Sequence, residues 1–259
     1  MTTDVRRLFV LLCGFEFIPK TVSTKDRGGR FILSAPVCAY LLDTSHGWVM
    51  LDCGMNEDTL ADPDQVRKKF LDLGLMPPVV RRDHRLDRQF EAIGIGYEDV
   101  KHVILSHLHL DHCGSLKRFR HARISLQRRE FDYAFSEYAG FAYFREDYSM
   151  PDMDWDLKDG DWDAMPGLEL LDTAGHTPGH QSAIITLPSG QTIVLPFDAG
   201  DLQENFDHER LPGECSDEVA ALAAIRRLKS LTVDRSAKMI LFHDPVQIQS
   251  IRLAPEFYE

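Results

Sequence analysis

Short apolar runs that end in turn-forming or polar residues recur along this chain, and they predict β-strands. Two pairs of neighbouring runs flank the turn sequences Ser45-His46-Gly47 and Pro188-Ser189-Gly190, which predict β-hairpins. The predicted strands cover residues 5–17, 36–44, 48–52, 100–105, 122–126, 168–171, 181–187, 191–195 and 239–242.

Helical periodicity is restricted to a few segments between these runs. Residues 65–73, 83–93 and 128–134 are predicted helices. A further helix is predicted to begin at Ser216 as its N-cap, with apolar residues that recur at near-helical spacing: Val219, Leu222, Ile225 and Leu228. Early and late strands with interspersed helices indicate two sheets packed together beneath covering helices.

Length and composition predict one domain over residues 1–259. A chain of 259 residues with 44% hydrophobic content can bury a large core, and no apolar run reaches the length of a membrane helix, roughly 18 residues. The five cysteines form no C-x-x-C pair, which favours the reducing cytoplasm. A net charge of −12 argues against nucleic-acid binding. We therefore expect a small-molecule substrate, no nucleic-acid or membrane partner, and a monomer or homodimer.

The segment Ser106-His107-Leu108-His109-Leu110-Asp111-His112 follows the predicted strand 100–105 and holds four metal-ligand side chains in six residues. Imidazole nitrogens and carboxylate oxygens suit zinc first, with iron, manganese or cobalt as alternatives.

Three more candidate ligands follow or close predicted strands further along the chain: His176, Asp198 and His243. Loops at one edge of a sheet gather functional residues on a rigid scaffold. Five histidines and two aspartates are enough ligands for two divalent metal ions with a bridging carboxylate and water, so the pattern predicts an enzyme.

With these residues in view, the chain resembles the metallo-β-lactamase superfamily and, within it, the N-acyl homoserine lactonases. The H-x-H-x-D-H motif spans 107–112. The sequences around Glu130 and His176, and the C-terminal sequence from His243, are also similar to those of the lactonases. The resemblance implies an α/β fold of the αββα type, in which two mixed sheets pack face to face with outer helices.

The resemblance also implies the ligand sets and the reaction. One ion would be held by His107, His109 and His176, and the other by Asp111, His112 and His243, with Asp198 bridging. A metal-bridging hydroxide would then open a lactone ring, with Asp111 or Asp198 accepting the proton. His180 is predicted to have a structural role or to support a ligand. Asp52 and Asp244 are predicted either to orient imidazoles or to have surface or turn roles, and Cys53 and Cys113 are predicted to be inert.

One position departs from the lactonase pattern. Many of these lactonases carry a tyrosine three residues after the bridging aspartate, and this chain has Asp201 there. A carboxylate donates no hydrogen bond unless it is protonated, so Asp201 changes that catalytic role or leaves it to another residue.

The motif residues are also compatible with other functions of the same fold. They are a thioesterase of the glyoxalase II type, an arylesterase, a phosphotriesterase, a β-lactamase, an iron-dependent oxidoreductase and a non-catalytic sensor. Nine aromatic residues lie between 131 and 155. They are interpreted either as core or as an apolar wall over the metal site, and the second interpretation is preferred.

Overall fold

The computed structural model describes residues 2–259. Within that range, eleven strands form two mixed sheets. The strands are β1 (Val5–Pro19), β2 (Ile32–Thr44), β3 (Gly47–Leu51), β4 (Val100–Ile104), β5 (Arg123–Gln127), β6 (Asp154–Lys158), β7 (Trp162–Met165), β8 (Leu168–Asp172), β9 (Gln181–Thr186), β10 (Thr192–Leu195) and β11 (Lys238–Met239).

The first sheet runs in the order β1-β2-β3-β4-β5-β6, and the second in the order β11-β10-β9-β8-β7. Strands β1 to β3 pair antiparallel, whereas β3 to β6 pair parallel, so the carboxyl ends of β3, β4 and β5 meet at one edge. In the second sheet only the β10–β11 pair is parallel. Both sheets are therefore mixed, as expected for the αββα sandwich.

Eight α-helices occur in residues 2–259. They are α1 (Lys20–Ser23), α2 (Glu57–Ala61), α3 (Pro63–Lys69), α4 (Leu86–Ile93), α5 (Leu110–Cys113), α6 (Arg128–Ala134), α7 (Gln203–Asp207) and α8 (Glu218–Asp234). Short 3₁₀ turns lie at Leu71–Leu73, Arg82–His84, Tyr97–Asp99, Leu116–Phe119, Arg145–Asp147, Phe197–Ala199 and Gln247–Gln249. No helix of the described range has the length and apolar content needed to cross a membrane.

The hydrophobic core joins residues from both sheets, and alternation along the strands explains how. In β9, Ala183 and Ile185 belong to the large core cluster, whereas Ile184 packs with Ile225 and Leu228 of α8. Successive side chains of a strand point to opposite faces, so β9 is covered on both sides. This double burial makes the second sheet a rigid support for the loops that leave its strands.

Several predicted boundaries were wrong in detail. The predicted helix over 65–73 is α3 followed by a 3₁₀ turn, and the run at 239–242 is mostly irregular backbone after a two-residue strand. The N-cap of α8 is Asp217, whose side chain accepts hydrogen bonds from the backbone N–H of Val219 and Ala220. Ser216 instead donates its hydroxyl to the Gly175 carbonyl, because the loop before α8 is bound to the His176 loop.

Candidate metal centre and active site

The predicted ligands lie on loops and short helical turns at one edge of the sandwich. His107 and His109 follow β4, Asp111 and His112 lie in α5, and Asp52 follows the parallel neighbour β3. From the second sheet, His176, Asp198 and His243 come after β8, β10 and β11. Segments far apart in sequence thus meet at one place, as the contact between His109 and His176, 67 residues apart, illustrates.

Two groups of side chains could each hold a cation. The first cluster comprises His107, His109, His176 and Asp198, and the second cluster comprises Asp111, His112 and His243. Within each cluster one ligand atom per residue lies within 4.8 Å of the others, and every member is buried. All seven predicted metal ligands are therefore brought together. Their role as ligands stays a prediction.

Asp198 belongs to the first cluster and also faces the second. Its Oδ1 is 3.2 Å from His112 Nε2 and 3.5 Å from His243 Nε2, and its Oδ2 is 3.3 Å from His176 Nε2. One carboxylate thus faces both ligand groups with different oxygens. Asp111 belongs to one side only, with Oδ2 located 3.2 Å from His112 Nε2 and 3.4 Å from His243 Nε2.

Hydrogen bonds to the far ring nitrogens hold most of these imidazoles in a binding orientation. His112 Nδ1 donates to Asp52 Oδ2 at 2.7 Å, His243 Nδ1 donates to the Pro36 carbonyl at 2.9 Å, and His176 Nδ1 donates to the Glu214 carbonyl at 2.8 Å. A proton on Nδ1 leaves the Nε2 lone pair free for a metal ion.

The buried polar atoms of the centre fit divalent cations. Within residues 2–259, His107 Nε2, His112 Nε2 and Asp198 Oδ1 are buried without a hydrogen-bond partner. An unsatisfied buried polar group costs about 1–3 kcal/mol, more when it is charged. Cations between these atoms would satisfy them, and an imidazole and carboxylate donor set is the one zinc prefers.

The local electrostatics agree with that fit. Although burial disfavours a charge on His112, the carboxylates of Asp111, Asp198 and Asp52 raise its pKa well above the ordinary value. Burial also opposes ionisation of Asp198, yet His112 and His243 hold the pKa of this carboxyl well below its usual range. The centre therefore favours positive charge between anionic carboxylates.

The candidate residues outside the two clusters have different roles. His180 Nε2 accepts the backbone N–H of Asp198 at 3.1 Å, so this ring supports the Asp198 loop. Asp244 accepts the backbone N–H groups of Val246, Gln247 and Gln203, so it caps turns and bonds no imidazole. Cys53 and Cys113 are free and buried, and burial raises the pKa of both thiols well above the ordinary value, which disfavours reactivity.

Asp52 orients the second cluster. Besides its bond to His112, it accepts the backbone N–H and the hydroxyl of Ser106, both at 2.7 Å. Its backbone has φ 54°, a left-handed conformation that is strained for a residue with a side chain. The carboxylate is thus built into the junction between β3 and the loop that carries His107.

Substitution Asp52→Asn is expected to weaken metal binding at the second cluster by about 10–100-fold, because an amide stabilises the donating imidazole less than a carboxylate does. Equilibrium dialysis against buffered zinc, with kcat/KM measured in parallel, checks this. Asp83→Asn, at an exposed carboxylate, is the control. Wild-type zinc affinity at both clusters in Asp52→Asn would contradict the expectation.

A cavity of about 320 Å³ opens onto the metal centre, and five of the predicted ligands line it: His109, Asp111, His176, Asp198 and His243. Its apolar wall comes mainly from the end of β1 with the following segment, and from the loop around residues 70–78. The wall includes Phe17, Val22, Ile32, Phe70, Leu75, Met76 and Phe141. Sequence reasoning missed most of this wall, although the apolar pair Leu75-Met76, just after the predicted helix over 65–73, was a signal that the sequence contained.

The aromatic segment 131–155 contributes less to this cavity than expected. Phe141 lines it, whereas Phe131 packs on Phe135 and Trp155, and Tyr148 is buried in the core. Tyr133 and Tyr143 line a second cavity of about 180 Å³ that shares His109 and His176. The segment is therefore divided in its role: Phe131, Phe135 and Trp155 pack against the core, whereas Tyr133 and Tyr143 face the second cavity beside the metal centre.

Asp201 lies in the wall of the main cavity together with Glu16 and Glu214. Burial raises the pKa of Asp201 to about 6 and that of Glu16 to about 8. Asp201 thus keeps a proton, and with it the ability to donate a hydrogen bond, at a higher pH than an exposed aspartate. Among the described residues, no lysine or arginine lines this cavity.

Comparison with known proteins agrees with the geometry. The family model described as "Metallo-beta-lactamase superfamily" matches residues 35–243. The N-acyl homoserine lactonase AttM of Azorhizobium caulinodans is 32% identical, over 99% of this chain and 100% of the relative. An N-acyl homoserine lactonase of Bacillus cereus is 31% identical, over 98% of this chain and 99% of the relative.

Solved structures give the same result. A crystal structure of a Bacillus thuringiensis AiiA variant with N-decanoyl-L-homoserine bound at its active site superposes with a TM-score of 0.89 and 29% identity, covering 99% of this chain and 100% of that chain. An N-acyl homoserine lactone hydrolase with the product N-hexanoyl-L-homoserine at its catalytic metal centre gives a TM-score of 0.87 and 29% identity, covering 99% of this chain and 100% of that chain.

Proposed function

The chain belongs to the metallo-beta-lactamase superfamily, and we propose that it hydrolyses lactones, with N-acyl homoserine lactones or related γ-lactones as substrates. The observation that carries the proposal is Asp198. This buried carboxylate faces two clusters of imidazole and carboxylate ligands at the base of a largely apolar cavity. Relatives named N-acyl homoserine lactonase, which match this chain over 99% or more of their own length, support the choice of lactone.

One ion would be held by His107, His109 and His176, and a second by Asp111, His112 and His243, with Asp198 shared between them. When bound, such ions supply Lewis acidity, which lowers the pKa of water and polarises an ester carbonyl.

The chain's own residues complete the reaction. Asp111 and Asp198 are the carboxylates closest to the reacting centre, and they can accept the proton that water loses as it attacks. The wall formed by residues such as Phe17 and Phe70 excludes bulk water and places the apolar part of the substrate. Asp201, in the position of the tyrosine of related lactonases, can donate to the substrate only while protonated.

Initial rates on a matched substrate panel test this function. Zinc-loaded protein should open γ-butyrolactone and N-hexanoyl homoserine lactone, with acid release followed by a pH indicator. A thioester, a phosphotriester and a β-lactam serve as the competing substrates. Absence of turnover on every lactone, in protein with two metals bound, would reject the proposal, and faster thioester or phosphotriester hydrolysis would reassign the site.

The proposal also includes the metal, the cellular compartment and the extent of the domain. Zinc is the proposed metal, because five imidazoles and two carboxylates form the donor set. Elemental analysis should find about two zinc ions per chain. The cytoplasm is the proposed compartment, because all five cysteines are free thiols. One hydrolase domain over residues 1–259 is proposed because residues near both ends of the chain, such as Val5 and Tyr258, belong to one core cluster.

The apolar wall should set the preference for acyl length. Leu75→Ala and Met76→Ala are each expected to lower kcat/KM about 10-fold for N-decanoyl homoserine lactone relative to γ-butyrolactone, because each removes apolar contact with the acyl chain. Val246→Ala, at an exposed position outside the lining, is the control. An unchanged ratio of the two rates would show that the acyl chain binds elsewhere.

A further inference from the structure

Glu130 is a buried carboxylate next to the metal centre that belongs to neither cluster. It lies in the first turn of α6, has no exposed surface and accepts four hydrogen bonds. Its Oε1 accepts the Leu108 N–H at 3.1 Å and the Tyr143 hydroxyl at 2.9 Å. Its Oε2 accepts the Thr177 hydroxyl at 2.6 Å and the Gly179 N–H at 3.1 Å.

Three of these four donors, Leu108, Thr177 and Gly179, come from the loops that carry the histidines of the first cluster, and the fourth is Tyr143 from the segment after α6. Leu108 lies between His107 and His109, and Thr177 directly follows His176. One oxygen thus binds the β4 loop while the other binds the β8 loop, so the carboxylate joins a loop of the first sheet to a loop of the second.

Two further contacts tighten this arrangement. The ring of Tyr143, held by Glu130, packs edge-on against the His109 ring, with centroids 4.7 Å apart. A Cβ at Gly179 would come within 2.2 Å of the Glu130 backbone nitrogen, so only glycine allows this approach. With both oxygens occupied by two donors each, Glu130 has no free acceptor for a substrate or a metal ion.

A different buried carboxylate, Asp52, supports the second cluster. Asp52 bonds His112 and Ser106, and it makes no contact with the first cluster's His109 or His176 among the described hydrogen bonds. The Ser106 hydroxyl that Asp52 accepts also lies 3.0 Å from His107 Nδ1, but the only ligand ring that Asp52 bonds directly among the described residues is His112. Asp52 and Glu130, which lies in α6, therefore support the centre in different ways.

We propose that Glu130 is the positioning residue of the first cluster: it fixes the spacing between the His107–His109 loop and the His176 loop, and so sets that cluster's affinity for its metal ion. The proposal rests on the metal centre proposed above. Because Glu130 touches no ligand ring directly, it acts through loop geometry, whereas Asp52 acts through a bond to the imidazole itself.

Stepwise metal titration tests this assignment. Apo-protein is titrated with zinc against a competing chelator, and the cobalt-loaded form is followed by its electronic absorption. Glu130→Gln should weaken one of two binding steps by about 10–100-fold, and Asp52→Asn should weaken the other. His109→Ala and His243→Ala identify which step belongs to which cluster. Asp147→Asn is the control, because Asp147 is a buried carboxylate that bonds Asn56 and no residue of either cluster among the described residues. This variant should leave both binding steps and the absorption of the cobalt-loaded form unchanged.

Single-donor variants keep the proposal testable if Glu130→Gln does not fold. Tyr143→Phe and Thr177→Val each remove one hydrogen bond to Glu130, and each should weaken the first-cluster step a few-fold while the second-cluster step stays at its wild-type value.

The proposal is overturned if both single-donor variants keep wild-type affinities, if Glu130→Gln weakens the two steps equally, or if the wild-type protein binds fewer than two ions. Wild-type protein that binds two ions and opens no lactone would reject the proposed function. The titration would still decide the role of Glu130 in that case.

Discussion

Substitution Asp198→Ala is expected to lower kcat/KM for lactone hydrolysis by about 10³-fold or more, because this carboxylate serves both clusters and is also a candidate proton acceptor. Its loss would leave two neighbouring cation sites without their shared anion. The backbone N–H that bonds His180 is retained, so the loop itself should persist. Initial rates on γ-butyrolactone, with metal content measured on the same samples, check the expectation.

Two comparisons separate charge from shape at this position. Asp198→Asn keeps the size of the side chain but not its charge, and a similarly large loss would identify the charge as the cause. Asp132→Ala, at an exposed aspartate, should retain wild-type rates. If Asp198→Ala kept more than a tenth of the wild-type rate with two ions bound, a bridging role would be wrong.

Removal of the metals is expected to abolish turnover and to lower the Tm by at least about 8 °C. A ligand at 1,000 times its Kd stabilises the folded state by about 4 kcal/mol, and 1 kcal/mol shifts the Tm of a chain this size by about 2–4 °C. The physical source is the set of buried atoms at His107, His112 and Asp198 that lack hydrogen-bond partners. Calorimetry before and after exhaustive chelation measures the shift.

Reconstitution provides the control for that experiment. Zinc should restore both the Tm and the turnover, whereas magnesium, which requires octahedral oxygen ligands, should restore neither. A chelated protein with unchanged activity and Tm would refute the metal centre as the basis of catalysis.

The strand pattern and the ligand chemistry were predictable because both are local. Apolar runs with turn residues at their ends predicted the β2–β3 and β9–β10 hairpins, which the structure contains. The spacing of His107, His109 and His112 after a buried strand is itself a metal-binding pattern. Boundaries failed where long-range contacts decided them, as at Ser216, which bonds the Gly175 carbonyl and not its own helix.

The cavity wall and the role of Glu130 were not predictable in this way, whereas the orientation of an imidazole by Asp52 was one of two roles that the sequence left open. The sequence placed the apolar wall in the aromatic segment 131–155, whereas the structure forms most of it from β1 and the 70–78 loop. A high aromatic content predicts that side chains pack against other residues, but it does not identify those residues. Phe131 and Phe135 pack on each other, with ring centroids 4.4 Å apart, behind the ligand loops.

By itself, the sequence determined the fold class, the set of candidate ligands and the presence of a carboxylate at position 201, because each depends on residue type and short-range order. Only the tertiary structure decided that Asp52 orients His112 and that Glu130 joins the two histidine loops. Those hydrogen bonds connect residues 22 to 60 positions apart. A carboxylate acquires such a role from the donors that folding brings to it, and these partners are set by how the two sheets pack.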